Sequence, residues 1–267
     1  MKLKFTCLWV LSTLLISSHA YGQFFAIDTI KAISPYNPAL RYIFPHLKSN
    51  TNQMAAQQIN LIMTTDILNV EHDMDSAGDY KNAFVNVWGT ADNTNPTVSD
   101  ISFKVINNDS KFFCIGISAE GCGAYCEHWT RYYTRESRTG NNVGLKDIFT
   151  EGGLQSLSDS VRLMKNKRIR ANINNMNLSL KKLVFAGKDD EESYKAAISL
   201  YGECIDSSNA IYDETNYSLS KSKLTIYLDP CLPHAMRAED NMDYTFTFDI
   251  RRWRNYLSAY GKSILQE

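Results

Sequence analysis

The sequence predicts an α+β fold in which an antiparallel sheet with hairpins carries helices packed on one face. Three observations lead there. Runs rich in β-branched and aromatic residues cluster in the middle of the chain, and turn residues separate them. Stripes at helical spacing flank those runs instead of alternating with them one by one, so a doubly wound parallel sheet is not expected.

Residues 24–33 alternate like a strand, and Pro35 and Pro38 end it because proline has no N–H to give a ladder. Ala55, Ile59, Ile62 and Met63 fall near helical spacing and predict a helix over 52–68. The run Phe84-Val85-Asn86-Val87-Trp88 reads as a strand. Residues 101–106 and 111–118 flank Asn107-Asn108-Asp109-Ser110, a hairpin signal. Residues 128–135 form an aromatic strand, and the turn residues of 137–142 predict a second hairpin.

Leu154, Leu157, Val161 and Met164 make one helical stripe, and Tyr194, Ala197, Ile198 and Tyr201 make another. The second helix follows Asp189-Asp190-Glu191-Glu192, a solvated acidic start that suits a helix N-terminus, and is expected to end at Gly202. Strands are expected at 223–228 and 244–250. Trp253, Tyr256, Leu257, Tyr260 and Ile264 then share one face of a final helix. No repeat or long linker interrupts the chain, so residues 23–267 read as a single domain.

The 267 residues carry 28 Lys+Arg against 29 Asp+Glu, with 44% hydrophobic residues, which fits a globular chain and excludes collagen-like, disordered or polytopic membrane classes. A net charge of -1 argues against a nucleic-acid partner, which would want a basic face. Lys2 and Lys4 precede an apolar stretch over 5–16 and then Ser17, Ser18, Ala20 and Gly22, the layout of a signal peptide. The apolar stretch is shorter than the ~20 residues of a spanning helix. Cleavage is expected after Gly22, with Ala20 the second choice, which makes 1–22 a leader. The expected mature protein is exported, periplasmic or extracellular, with no transmembrane segment.

Export places the remaining cysteines in an oxidising compartment. Without Cys7 there are five, an odd number, so at most two bridges form. Cys114 lies in an apolar strand-like run and reads as a buried free thiol. Cys122 and Cys126 flank a short Gly-containing turn that suits a local bridge, and Cys204 with Cys231 then pair by elimination. Other pairings stay open, since spacing does not fix connectivity.

Catalytic signatures are absent from the sequence: no H-E-x-x-H, no G-x-S-x-G and no P-loop. Ser179 with Lys182 and Ser220 with Lys223 satisfy S-x-x-K, a pattern that chance explains. Cys126, His128, Cys231 and His234 would suit zinc if their segments met, but disulfides remove the thiolates a metal needs, so no metal and no cofactor are expected. Glu127, His128, Asp147 and His234 are the groups a cell-wall hydrolase or deacetylase would use.

Lys111-Phe112-Phe113, Gly123-Ala124-Tyr125, the aromatic strand with Tyr132 and Tyr133, Thr139-Gly140 and Leu145-Lys146-Asp147-Ile148-Phe149 follow one another. That succession resembles the extracellular domain of the RsiV-type anti-sigma factors, a domain of unknown function also appended to some peptidoglycan deacetylases. Pro45 before Ile59-Asn60 is similar to the N-terminal half of that family. Cys231-Leu232-Pro233-His234 and the closing Tyr256-Leu257-Ser258-Ala259-Tyr260-Gly261 look like a secreted Bacteroidota-type subgroup. The resemblance implies Thr139 and Gly140 in a hairpin, Asp147 at a helix start and Phe149 packed beneath it, all architectural. It also implies a cell-envelope binding domain that recognises a lysozyme-like protein or a peptidoglycan fragment. Two departures stand out: no segment precedes the apolar stretch to hold a sigma factor, and Cys122 and Cys126 are additions. Candidate ligand-binding residues are Tyr125, Glu127, His128, Trp129, Tyr132 and Tyr133 on one segment, with His234 and Arg237 on another.

Overall fold

A computed structural model describes residues 24–34, 41–72, 74, 77–88, 98–122, 126–181, 188–206, 216–240 and 242–265. The expected leader lies outside the described residues. Five strands form the main sheet: β1 (Ala26–Ile33), β2 (Arg41–Lys48), β3 (Asp100–Asn108), β4 (Phe112–Cys122) and β5 (Cys126–Glu136), in that spatial order. All neighbours are antiparallel except β2 and β3, which run parallel through Arg41–Asp100 and Tyr42–Ile101. Pro45 sits in β2 opposite Thr29 of β1 and beyond the short pairing with β3. The α+β expectation holds.

α1 (Gln53–Leu68) and α2 (Ala77–Trp88) cover one face of this sheet. Ile59 and Met63 of α1 and Tyr80, Ala83, Phe84 and Val87 of α2 bury against Phe113, Ile115 and Ile117 of β4. The strand expected over 84–88 is therefore the end of a helix. Tyr80, Ala83, Phe84 and Val87 are spaced three, one and three apart, a helical stripe, and the apparent alternation of the last five residues is overridden by that packing. Asn69 ends α1 in the left-handed conformation (φ 54°), and its N–H reaches the Thr65 carbonyl at 3.1 Å.

The opposite face of the main sheet meets a second, three-stranded antiparallel sheet of β6 (Tyr217–Leu219), β7 (Lys223–Tyr227) and β8 (Thr245–Asp249). β6 is a strand the sequence pattern did not separate. Phe112 and Cys114 of β4 pack there with Leu219, Leu224, Ile226 and Phe246. The turn at 137–142 is tight, with Gly140 at φ 78°, but its outgoing arm makes only the Arg135–Asn142 bridge before α3 (Leu145–Ile148) begins. The second hairpin is instead β4–β5, whose ladder runs to Cys122 opposite Cys126; residues 123–125 lie outside the described residues. Asp147 accepts from the Gly144 N–H at 2.8 Å in the first turn of α3, and Phe149 is buried just after it.

α4 (Glu151–Lys181) and α5 (Lys188–Asp206) pack on each other. α5 runs through Gly202, the expected end, because Cys204 in its last turn is bonded to Cys231 and its carbonyl takes the Lys165 ammonium at 2.8 Å. The expected last helix is broken into a 3₁₀ turn (Ile250–Tyr256) and α6 (Ala259–Leu265). Leu257 bridges to Phe149 between them, and Ser258 caps α6 by accepting from the Gly261 N–H at 2.9 Å. Cys114 is free and buried, as expected. The Cys122 and Cys126 side chains lie outside the described residues, although their backbones face each other at the end of the β4–β5 ladder.

Two glycines are required by close backbone approach. A Cβ on Gly261 would stand 2.0 Å from the Ile148 carbonyl oxygen, and one on Gly153 would stand 2.4 Å from that of Tyr256. We expect Gly261→Ala to lower stability by about 1–3 kcal/mol through forced displacement of backbone. Gly202→Ala meets nothing within 4 Å and is expected to raise stability by about 0.5–1 kcal/mol, because alanine loses less backbone entropy in a helix. Urea melts of both variants check the contrast, and equal midpoints would contradict it.

Lys165 lies in the buried stripe of α4 with Leu157, Val161 and Ile169, and burial lowers its pKa. The folded state therefore binds fewer protons than the unfolded state between the lowered value and the ordinary 10.5. Wild type should gain stability relative to Lys165→Met as pH rises through that window, and the cost of the buried charge is fully present below it. Melts of both proteins from pH 7 to 11 measure the difference; a constant difference would contradict the expectation.

Candidate functional site

The two segments singled out around Glu127 and His234 do meet. Arg237 Nη1 lies 2.8 Å from Glu127 Oε1, and His234 Nε2 lies 3.9 Å from Glu127 Oε2. His234 and Arg237 belong to a 3₁₀ turn (His234–Glu239) that follows Cys231, and the Cys204–Cys231 disulfide ties this segment to α5. Asp240 anchors its far end by accepting from Tyr201 at 2.7 Å and from Tyr244 at 2.9 Å, while the Tyr244 hydroxyl accepts from the Cys231 N–H at 2.9 Å. Burial, with the Asp240 carboxylate adding to it, pushes the Tyr201 hydroxyl well above the usual tyrosine range. Both phenols therefore stay neutral and donating. The cluster is a latch that joins the end of the β4–β5 hairpin to the α4–α5 layer.

The other predicted residues divide between the faces of β5. Trp129 and Tyr133 pack with the α1–α2 core, Arg131 stands over the Trp129 ring at 5.5 Å, and Arg131 faces Asp66 at 3.7 Å. His128 is exposed and lies 3.2 Å from Glu120 across the ladder. Asp147 serves the α3 turn, so it does not join Glu127 and His234 in an acid/base set. Tyr125 lies outside the described residues. Among the described residues no group of three or more His, Cys, Asp or Glu side chains is placed to hold a metal.

Tyr132 points to the second sheet and forms one wall of a cleft of about 430 Å³ between the two sheets. Its placement follows from Gly116, its partner across the ladder, because a Cβ there would stand 2.7 Å from the Tyr132 ring. Tyr132 thus lies over the bare backbone and stacks on Tyr227 of β7, with centroids 4.3 Å apart and planes 10° apart. Asn216 fixes the junction, its amide accepting from the Tyr132 N–H at 3.2 Å and donating to the Thr130 carbonyl at 2.8 Å. Burial first, and the Tyr227 hydroxyl second, push the Tyr132 hydroxyl far above its usual range.

The cleft floor carries the hydroxyls of Ser118 and Thr130, 2.8 Å apart, and the far wall those of Ser218 and Tyr227, 3.0 Å apart. Lys104 of β3 and Lys223 of β7 complete it, and none of its lining residues is acidic. Asp249 stands opposite Lys223 in the ladder but is taken by Arg251 through bonds of 2.7 and 3.0 Å, which hold its carboxyl down at about 2. Ser220, from the S-x-x-K pair, accepts from the Lys223 N–H at 3.1 Å, a turn bond that leaves the lysine side chain uninvolved. Of these residues the sequence reading had singled out only Tyr132 for ligand binding. Gly116 inside a strand was the signal available for a close approach at this point.

No family profile matches the sequence, and no curated protein matches it. Among solved structures, a member of the DUF3298 family from Bacteroides fragilis is similar, with a TM-score of 0.56 at 14% identity, over 91% of this chain and 97% of that one. A DUF3298 family protein from Pseudomonas aeruginosa is 13% identical with a TM-score of 0.48, over 89% of this chain and 95% of that one. At such identity the likeness is one of fold. The chain has the fold of a DUF3298-type domain.

Proposed function

We propose that this chain is an exported, RsiV-like cell-envelope domain over residues 23–267 that binds a peptidoglycan fragment or a lysozyme-like protein and does not turn it over. The observation that carries this reading is the cleft between the sheets. It offers hydroxyls and two lysines without an acidic residue among its lining side chains, a surface for holding a polar ligand. Glu127, by contrast, is engaged by Arg237 beside His234, and Asp147 serves a helix start away from them, which favours the binding reading over the hydrolase one. The leader-like N-terminus and the sequence resemblance support the envelope setting, and no helix among the described residues is long and apolar enough to cross a membrane.

Two measurements test this. Expression with the native N-terminus followed by N-terminal sequencing should return Gln23 as the first residue; a retained Met1 overturns the export reading. Calorimetric titration with muropeptides and with lysozyme should show binding to at least one in the micromolar range, about -8 kcal/mol. Binding to neither, or release of cleaved or deacetylated product, overturns the binding reading.

A further inference from the structure

We infer that the cleft between the two sheets is selective for an anionic saccharide, one whose ring hydroxyls are accompanied by a carboxylate or a phosphate. The inference rests on the binding reading above and assigns it a site and a ligand chemistry. The charge in the cleft is local: the chain is nearly neutral overall, yet Lys104 and Lys223 face this cavity with no acidic partner among the described residues. Lys223 is deprived of its cross-strand neighbour because Arg251 holds Asp249. Nearby, Lys221 is directed to Asp109 at 3.7 Å, so the two cleft lysines keep their charge available. An uncompensated ammonium at the rim of a cleft lined by hydroxyls favours an anion.

The hydroxyls set the rest of the ligand. In each close pair, Ser118 with Thr130 and Ser218 with Tyr227, one hydroxyl donates to the other, which leaves one proton and several lone pairs per pair for a guest. That mixed donor and acceptor supply matches sugar hydroxyls, which both donate and accept. The rings of Tyr132 and Tyr227 are stacked on each other, so these tyrosines offer edges and hydroxyls and no open face. A volume of about 430 Å³ accommodates a small ligand.

The test titrates the protein with N-acetylmuramic acid, glucose 6-phosphate and the neutral N,N′-diacetylchitobiose, followed by calorimetry and by tyrosine ring signals in NMR. One or both anionic probes should bind at least about tenfold more tightly than the neutral one, which is one step of 1.4 kcal/mol. Tighter binding of the first identifies a carboxylate site, and of the second a phosphate site. Lys104→Gln and Lys223→Gln should each weaken the anionic probe several-fold and leave the thermal midpoint unchanged, since both side chains are exposed. Raising the salt should weaken it as well. Equal affinity for charged and neutral probes, or unchanged affinity in both variants, overturns the assignment. If muropeptides still bind a Lys104→Gln/Lys223→Gln protein as tightly as wild type, the binding function survives and the cleft assignment falls. If neither a saccharide nor lysozyme binds wild type, both fall.

Discussion

The two-sided burial of β4 is the constraint on which the rest of the structure depends. Phe113, Ile115 and Ile117 face α1 and α2, while Phe112 and Cys114 face the second sheet, so one strand belongs to two hydrophobic clusters. A shift of register by one residue would exchange the two sets and expose both cores to the wrong partners. At Gly116 the side-chain row on the second-sheet face is interrupted, and Tyr132 fills the gap. The cleft opens at that point, where Gly116, Lys104 and Tyr132 stand side by side and Ser118 and Thr130 follow along the strands.

A second device recurs around this strand framework. Asn60, Asn108 and Asn216 each use a side-chain amide to satisfy backbone groups that no neighbouring strand reaches. Asn60 bonds both the N–H and the carbonyl of Leu47 at 2.9 Å, and Asn108 does the same for Phe25 at 2.9 Å. Asn216 does so for Thr130 and Tyr132 on the outer side of β5. Each amide imitates a short piece of strand, which removes the cost of an unpaired buried backbone group and blunts a sheet edge. The same contacts tie α1, the N-terminal segment and β6 to the main sheet.

The latch at Glu127 and the cleft at Tyr132 lie on adjacent stretches of β5 but differ in kind. At the latch, opposite charges are paired and the disulfide fixes one partner. In the cleft, the positive charges are unpaired among the described residues because the nearest carboxylate in the ladder is already occupied. Paired charges hold elements together at the latch, and the cleft lysines join no such pair among the described residues.

The sequence by itself determined the fold class, the β3–β4 hairpin, α1, the placement of strands β7 and β8 and the buried thiol of Cys114, because these follow from local periodicity and turn residues; it left the cysteine connectivity open, and the fold decided the Cys204–Cys231 bridge. Alternation along β5 puts Trp129 and Tyr133 on one face and Tyr132 on the other, as the core and the cleft show. Tertiary structure decided what periodicity over five residues cannot: that Phe84 and Val87 belong to a helix, that Gly202 lies inside one, and that Leu257 breaks the last. It alone placed Lys165 within an apolar stripe, where a carbonyl from another helix receives its ammonium. The cleft was illegible for the same physical reason. Lys104, Tyr132 and Lys223 come from three strands in two sheets, and only the packing of one sheet on the other brings their polar ends together.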